Sequence, residues 1–270
     1  MKRRFFALVL LSLLMAAAIG MLSMQSDKRD PAKIQIGAPD DSGGLIIHYI
    51  LHAKGFEAAE VVKDFEVFTM KDCCAVTSEW ALSGDRLDMA VMCPDAAQRL
   101  VEKDPRFEIT GPALLNSDVL VIRPGSNPAK IGVAHKRQYQ ERFVKERFSG
   151  ACTTVPMLPA GLPFAFERGT VDGVVIDVFK AFAIPGERIS SSGNGTELVT
   201  YVLVARRELT SRFLYRQFME RYKQAVAELD DTATLARAVE GYKEVRWTDR
   251  EVAEWKALMV KFVFPLKAGI

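Results

Sequence analysis

The most constraining feature of this sequence is a repeated alternation of short apolar runs with helix-length segments. In the first half of the chain, the predicted strands cover residues 34–39, 65–70 and 87–92, and the predicted helices cover residues 45–53, a segment from Thr77 onwards and residues 94–102. Strands that alternate with helices form parallel sheets with right-handed crossovers. The sequence therefore predicts an α/β fold.

The same alternation of strands and helices occurs a second time. It follows a longer predicted strand, residues 114–123, and a stretch that contains Pro and Gly, residues 124–128. The predicted strands and helices of this second set cover residues 131–134, 139–148, 153–157, 162–168 and 173–176. A stretch rich in Ser and Gly, residues 190–195, then leads into an apolar run at 198–205. We therefore predict two lobes that are joined by hinges: residues 33–122 and 196–270 form lobe 1, and residues 123–195 form lobe 2.

The C-terminal third of the chain is predicted to be helical. Apolar side chains recur at spacings of three and four from Leu214 to Leu229 and form one stripe. Thr248 and Glu251 have the spacing of a capping box, and a second apolar stripe follows them. We assign the aromatic residues of both stripes to the core or to packing between the lobes.

The N-terminal segment predicts export from the cytoplasm. Three basic residues at positions 2–4 precede the apolar run 5–22, an arrangement that is typical of a signal peptide. The apolar run could also span a membrane as one helix, although it is slightly short for that. Without these three charges the net charge falls from +2 to −1, so the basic excess does not indicate nucleic-acid binding. We expect an extracytoplasmic protein in which residues 1–26 are a signal peptide or an N-terminal anchor, and in which only this segment contacts the membrane.

Polar loops follow the three predicted strands of the first lobe. Ligands of open parallel sheets bind beyond the carboxyl ends of the strands, so these loops are the candidate ligand site. They contain the candidate residues Asp40, Ser42, Cys73, Cys74, Cys93 and Asp95. Three of the four cysteines of the chain lie in two of these loops.

These three cysteines have two interpretations. A disulfide between Cys93 and either Cys73 or Cys74 is plausible, because neighbouring strand ends lie about 5 Å apart, and an oxidising compartment favours it. Alternatively, the three sulfurs form a thiolate site for a soft cation such as mercury, cuprous copper or zinc. Lys71 and a helix that begins near Thr77 favour the thiolate form.

Several other polar residues are candidates for ligand contacts. Ser42 opens a helix whose backbone N–H groups are suited to an anion, and Thr77 opens the next helix. His135 follows the predicted strand 131–134. The segment 159–161 and Asp177 are further candidates at the cleft rim of the second lobe. We expect Cys152 to be a buried thiol. The remaining two histidines, His48 and His52, are expected to lie on a solvated helix face.

The two-lobe organisation and the segment 166–175, which reads FERGTVDGVV, resemble the type II periplasmic solute-binding proteins of ABC transporters. A helix that ends in Gly, followed by Asp and an apolar strand, is similar to the second-lobe signature of the sulfonate and thiamine-precursor branch. The segments 71–82 and 92–97 resemble, more particularly, the substrate-binding (seleno)protein of the selenocysteine-assisted organometal transport system. Here both positions of the vicinal pair, Cys73 and Cys74, are cysteine.

The resemblance implies a two-lobed type II periplasmic-binding-protein fold, with a mostly parallel sheet flanked by helices in each lobe. It implies a monomeric binding protein, without enzymatic activity or a resident cofactor, that delivers its ligand to an ABC permease and its ATPase. The implied ligand is an organometal such as an organomercurial, held by Cys73, Cys74 and Cys93. Two alternatives remain open at this point: a receptor for a small anionic metabolite with a structural disulfide, and an extracytoplasmic thiol oxidoreductase.

Overall fold

A computed structural model of the protein describes residues 33–52, 63–71, 75–192 and 196–266. The predicted signal or anchor segment and the vicinal cysteines Cys73 and Cys74 lie outside the described residues. The chain from Ile34 onwards forms one compact unit built on two β-sheets. Within the described ranges, no helix has the length and apolar character needed to cross a membrane.

The first sheet has six strands in the order β11-β4-β10-β3-β1-β2. Its strands are β1 (Ile34–Pro39), β2 (Phe65–Met70), β3 (Met89–Met92), β4 (Phe107–Leu115), β10 (Val199–Arg206) and β11 (Lys261–Phe262). Strand β1 is parallel to β2 and β3, whereas β10 is antiparallel to β3 and β4. The helices that follow its first three strands are α1 (Ser42–His52), α2 (Ala75–Ser83) and α3 (Pro94–Lys103).

The second sheet has five strands in the order β7-β6-β8-β5-β9. Its strands are β5 (Asp118–Ile122), β6 (Lys130–Ala134), β7 (Thr153–Met157), β8 (Gly173–Asp177) and β9 (Glu187–Ile189), and its helices are α4 (Gln138–Arg147), α5 (Leu162–Glu167) and α6 (Val178–Ala183). Strand β6 is parallel to β7 and β8, and β5 is antiparallel to β8 and β9. The predicted two-lobed α/β fold is confirmed. The expectation of a mostly parallel sheet in each lobe is wrong, because β4, β10 and β11 in the first sheet and β5 and β9 in the second form antiparallel pairs.

The strand predicted over residues 114–123 is wrong, because it is two strands that belong to different sheets. Strand β4 ends at Leu115 and β5 begins at Asp118. Between them, Asn116 has a φ of 58°, a left-handed conformation that asparagine tolerates and that ends the strand. The first change of sheet therefore occurs before the lobe boundary that we predicted after residue 122.

Asn116 also joins the two connections between the sheets. Its backbone N–H donates to the Leu198 carbonyl, and its side-chain oxygen accepts from the Leu198 N–H, both at 2.8 Å. Its side-chain nitrogen donates to the Met259 carbonyl at 2.9 Å. The second connection runs from β9 to β10 and includes residues 193–195, which are outside the described part. The two connections therefore lie side by side at Asn116 and Leu198.

The C-terminal third is helical, as predicted. Its helices are α7 (Arg207–Thr210), α8 (Phe213–Glu228), α9 (Thr232–Lys243) and α10 (Asp249–Ala257). Thr248 and Glu251 form the predicted capping box at the start of α10. Phe179 of α6 packs against the rings of Trp247 and Trp255, at centroid distances of 5.6 and 5.9 Å. The aromatic residues near the C-terminus therefore pack against the second lobe, as we expected.

Candidate functional site

The two lobes contact each other where the carboxyl ends of β1 and β8 lead into helices. The backbone N–H of Ser42, the first residue of α1, lies 3.4 and 3.3 Å from the two carboxyl oxygens of Asp177, and the Ser42 hydroxyl donates to Asp177 Oδ2. Asp177 also caps α6 by accepting from the Phe179 N–H at 3.0 Å. Ser42 is 0% exposed and Asp177 is 4% exposed. One buried carboxyl group therefore connects the N-termini of two helices, one from each lobe.

The start of α1 depends on glycine. A Cβ atom at Gly44 would lie 1.9 Å from the carbonyl oxygen of Pro39, and one at Gly43 would lie 2.8 Å from the ring of Tyr201. Real Cβ atoms do not approach other atoms this closely, so the sequence Ser42-Gly43-Gly44 lets the helix begin directly against the end of β1. This close packing brings the first N–H groups of α1 to the contact between the lobes.

Asp41 and Tyr201 form the first-lobe side of a polar network. The Asp41 carboxylate accepts from the Gly43 N–H at 3.0 Å and from the Tyr201 hydroxyl. The guanidinium of Arg137, which lies between β6 and α4, is 5.9 Å from the centre of the Tyr201 ring. All three side chains are buried. Arg137 of the second lobe therefore faces the first lobe directly.

Asp118, the first residue of β5, holds Arg137 in place. Arg137 Nη1 lies 3.3 and 3.1 Å from the two carboxylate oxygens of Asp118. Tyr139 and Gln140 each donate a side-chain hydrogen bond to Asp118 Oδ2. Because the charges are paired and further hydrogen bonds satisfy the carboxylate, this buried ion pair is tolerated in the protein interior.

The interlobe site holds more acid than base. Asp41, Asp118 and Asp177 are buried there together with Arg137, and the half-buried Lys180 lines the same contact. Burial, followed by the nearby Asp41, raises the pKa of Asp177 to about 8. Burial also raises the pKa of Asp41. At neutral pH the site therefore retains protons that a bound cation can replace.

Little open space remains at this contact. A cavity of about 20 Å³ is lined by Asp41, Arg137, Asp177 and the half-buried Lys180, among other residues. Such a volume holds about one water molecule. A larger cavity of about 570 Å³ lies between α4 and the second interlobe connection, and Tyr139 lines it together with Arg142. A ligand larger than water therefore enters the Asp41–Asp177 region only if the lobes separate.

Cys93 and Asp95 lie close to the second lobe. Cys93 directly precedes α3 and is 0% exposed. It is near enough to Arg137 and Tyr139 to influence their titration. The Asp95 carboxylate accepts from the backbone N–H of Tyr139 at 3.4 Å. Cys93 and Asp95 are thus brought to the same interlobe contact as Ser42.

The sheet order corrects the reasoning behind a disulfide. The proposed partners Cys73 and Cys74 follow β2, whereas Cys93 follows β3, and β1 lies between these two strands. Two strand spacings amount to about 10 Å, which exceeds the usual Cα separation across a disulfide of about 4.4–6.8 Å.

Other predicted residues lie elsewhere. Thr77 and His135 are exposed, and Asp40 is half-buried with its carbonyl accepting from Lys243 Nζ at 2.7 Å. Cys152 is buried, as expected, and its thiol donates to the Pro128 carbonyl at 2.8 Å. The roles that the sequence suggested for Thr77, His135 and Asp40 remain predictions.

The expectation of a solvated face for both histidines is wrong for His48. Its ring stacks on His52 at a centroid distance of 4.3 Å and lies 5.1 Å from the ring of Tyr242. Burial, and then the charge of His52, lowers the pKa of His48 to about 4. His48 is therefore neutral and partly packed at neutral pH.

Several polar residues of the site were missed from the sequence, among them Tyr201 of the first lobe. Arg137, Tyr139 and Gln140 come just after β6, and the same strand-end rule that selected His135 points to this region. Asp118 stood inside a run that was interpreted as one apolar strand. A charged residue in such a run is an informative signal, because buried charges are rare unless they are paired.

Comparison with known proteins shows which class of proteins has a similar fold. No protein-family model and no curated protein matches the chain. Among solved structures, the alkanesulfonate-binding protein SsuA from Xanthomonas axonopodis pv. citri bound to MOPS is 13% identical, with 87% of this chain and 88% of that chain covered and a TM-score of 0.63. The periplasmic aliphatic sulphonate binding protein SsuA from Escherichia coli is 14% identical, with 85% and 91% covered and a TM-score of 0.58.

A third structure is the ligand-binding component of an ABC-type import system from Staphylococcus aureus with zinc bound. It is 16% identical, with 87% of this chain and 86% of that chain covered and a TM-score of 0.65. All three neighbours are binding proteins. The chain therefore has the two-lobed fold of the solute-binding proteins of ABC transporters.

Proposed function

We propose that the protein is the extracytoplasmic substrate-binding protein of an ABC importer and that it captures a soft-metal or organometal species between its lobes. The carrying observation is the buried polar contact between the helix starts that follow β1 and β8. Ligands of open α/β sheets bind at such strand ends. The partners in this proposal are an ABC permease and its ATPase.

The charge of the site supports a positively charged ligand. Three carboxyl groups face a single buried guanidinium, and the pKa of both Asp41 and Asp177 is raised by burial. A metal cation or an organometal cation can replace the protons of these groups, whereas the buried guanidinium that could bind a sulfonate or carboxylate is already paired with Asp118. This observation favours the soft-metal ligand over the alternative of a small anionic metabolite.

The thiols supply the specificity in this proposal. Cys93 lies at the interlobe contact, and β2 ends at Met70, which pairs with Pro39 at the end of β1. The segment that carries Cys73 and Cys74 therefore begins beside the strand end that leads to Ser42. Soft thiolate ligands bind mercury and cuprous copper more strongly than hydroxyl oxygens do. Cys73, Cys74 and Cys93 are accordingly the proposed metal ligands.

The proposal is tested by native mass spectrometry of the reduced full-length protein in mild detergent. The protein is exposed in turn to methylmercury, mercury(II), cuprous copper, zinc and methanesulfonate. We expect one methylmercury per chain, retained through buffer exchange, and a strong loss of this adduct in the Cys73→Ser and Cys74→Ser variants. Retention of methanesulfonate but not of methylmercury by the unaltered protein would instead support the anionic-metabolite receptor.

The same measurement addresses the enzymatic alternative. A receptor keeps the bound organomercurial intact, so the adduct has the mass of protein plus the methylmercury group, less the displaced thiol proton. Rapid conversion of this adduct to one that has lost the methyl group would indicate cleavage of the carbon–mercury bond. Catalytic disulfide formation in an added dithiol substrate would indicate a thiol oxidoreductase.

A further inference from the structure

The N-terminus of α1 is occupied by carboxyl and carbonyl groups of the protein itself. The Ser42 N–H faces the Asp177 carboxyl group, the Gly43 N–H donates to the Asp41 carboxylate at 3.0 Å, and the Gly44 N–H donates to the Asp41 carbonyl at 3.0 Å. The first N–H groups of an eleven-residue helix attract anions, because the helix dipole and the unpaired donors act together. Here each of these three donors already has a partner.

Asp177 is held at this position by its own lobe. Asp177 is the last residue of β8, and its carboxyl group caps α6 by accepting from the Phe179 N–H. Contacts within the second lobe therefore hold the carboxyl group in place. From there it accepts from both the N–H and the hydroxyl of Ser42. Asp41, by contrast, belongs to the same lobe as α1 and stays beside it when the lobes separate. Asp177 is therefore the group that leaves the helix N-terminus when the site opens and returns when it closes.

We propose that Asp177 is a specificity-determining residue that takes the place of a ligand's anionic group at the N-terminus of α1 and so excludes sulfonates, carboxylates and phosphates from the closed site. This inference rests on the proposed function, since it assigns a selectivity to the same interlobe site. It explains how a fold shared with sulfonate-binding proteins serves a cationic ligand. The exclusion is steric, because the carboxyl group fills the position, and electrostatic when the group is ionised.

Ionisable groups from several elements lie near Asp177. Asp41 precedes α1, Asp118 begins β5, Arg137 precedes α4, Lys180 lies in α6, and Tyr242 lies in α9 with its pKa raised by burial and by the nearby acids. The pKa of Asp177 is raised to about 8, so charge repulsion of anions is strongest above that pH. Below it, the protonated group still fills the position.

The proposal is tested by asking whether removal of the Asp177 carboxyl group increases the affinity of the protein for an anion. In the Asp177→Gly variant the carboxyl group is removed while the N-cap position keeps a residue that helices tolerate there. We expect this variant to bind methanesulfonate about tenfold or more tightly than the unaltered protein, a change of about 1.4 kcal/mol. Asp177→Asn keeps the shape of the side chain and is expected to show no gain.

The matched control is Asp231→Gly. Asp231 caps α9 by accepting from the Thr234 N–H at 2.8 Å, and it is exposed, so the same chemical change occurs at a helix start away from the site. Binding is measured by calorimetry on the full-length protein, with circular dichroism to establish folding. If Asp177→Gly does not fold, Asp177→Ser provides a shorter capping side chain for the same measurement.

A folded Asp177→Gly or Asp177→Ser variant that gains no methanesulfonate binding would overturn the inference. So would equal gains in the Asp231→Gly control, or tight methanesulfonate binding by the unaltered protein. Methylmercury binding is measured in parallel on the unaltered protein. Its absence would contradict the proposed function, whereas the gain or lack of anion binding in the variants decides the role of Asp177 separately.

Discussion

The two lobes bring different chemistry to their contact. The first lobe contributes the Ser42 N–H and hydroxyl at a helix start and the Cys93 thiol, whereas the second lobe contributes the ion pair of Asp118 and Arg137 and the carboxyl group of Asp177. The first lobe thus offers hydrogen-bond donors, a sulfur and the carboxyl group of Asp41, whereas the second lobe offers a paired charge and the carboxyl group of Asp177. This difference indicates that neither lobe alone forms the contact, so the selectivity that we propose requires both lobes.

The largest expected effect comes from breaking the charge pair of the second lobe. Asp118→Ala leaves the Arg137 guanidinium buried without its partner and removes the acceptor for Tyr139. Loss of one partner of a buried ion pair costs about 3–5 kcal/mol in the free energy of unfolding. Urea unfolding measures this change. The comparison variant, Asp231→Ala at an exposed helix cap, is expected to lose about 1 kcal/mol, and an equally small loss in Asp118→Ala would contradict the assignment.

The second prediction concerns the pH dependence of lobe closure. Burial, followed by the nearby Asp41 of the first lobe, raises the pKa of Asp177 from its ordinary value of 3.8 to about 8. We expect opening of the lobes to expose Asp177 to water and to lower its pKa again. The closed state therefore binds a proton more tightly than the open state. Its advantage is complete below about pH 3.8 and is lost as the pH rises through about 8.

Small-angle scattering of the ligand-free protein tests this dependence. We expect a larger radius of gyration at pH 9 than at pH 5, because the lobes open as the proton is lost. The Asp177→Asn variant is expected to lose most of the change, with the remainder due to Asp41, whose pKa is raised by burial. A radius that stays constant from pH 5 to 9 in the unaltered protein would rule out this coupling.

The third prediction concerns the strand break between the lobes. Asn116→Ala removes side-chain hydrogen bonds to Leu198 and Met259 and forces alanine into a left-handed conformation. We expect a loss of about 2–3 kcal/mol in the free energy of unfolding, from hydrogen bonds worth about 1 kcal/mol each and from strain of about 1 kcal/mol. Asn116→Gly relieves the strain alone, so it is expected to be less destabilised than Asn116→Ala. Equal losses would show that the backbone conformation carries no cost.

The smallest expected effect comes from the Ser42 hydroxyl. Ser42→Ala removes one of the hydrogen bonds to Asp177 but keeps the backbone N–H. We expect a loss of about 1 kcal/mol, measured by the same urea unfolding. A loss as large as that of Asp118→Ala would contradict this ranking, because the hydroxyl would then stabilise the protein as much as the buried ion pair does.

Much of the fold could be predicted from the sequence because its strands are short apolar runs with clear ends. The bounds of β1, β2 and β7 agree with the prediction. The prediction of one strand over residues 114–123 was wrong because apolar residues continue on both sides of Asn116, which has a left-handed conformation. Only the pairing of strands in three dimensions assigns the two halves to different sheets. The pattern of apolar residues along the sequence indicates that a strand is buried, but it does not indicate to which sheet the strand belongs.

The candidate site could be predicted only in part. Ser42 and Asp95 were selected by the strand-end rule and Asp177 as a residue of the cleft rim, and all three take part in the contact between the lobes. His135 was selected by the same rule but is exposed, whereas Arg137, two residues further on, is buried. The reason is a tight turn: Lys136 has a φ of 64° and the Arg137 N–H donates to the Ala134 carbonyl at 3.1 Å. Such a turn decides which side chain faces inward.

The most direct test of the account compares the two buried thiols, one in each lobe. Cys93→Ser and Cys152→Ser make the same chemical change, but Cys93 faces the interlobe contact and Cys152 donates to Pro128 within the second lobe. Methylmercury affinity is measured by competition with glutathione. We expect Cys93→Ser to weaken binding about tenfold or more, because a hydroxyl oxygen forfeits the soft metal–sulfur bond, and Cys152→Ser to leave it unchanged. Equal affinities of both variants and the unaltered protein would contradict metal capture between the lobes.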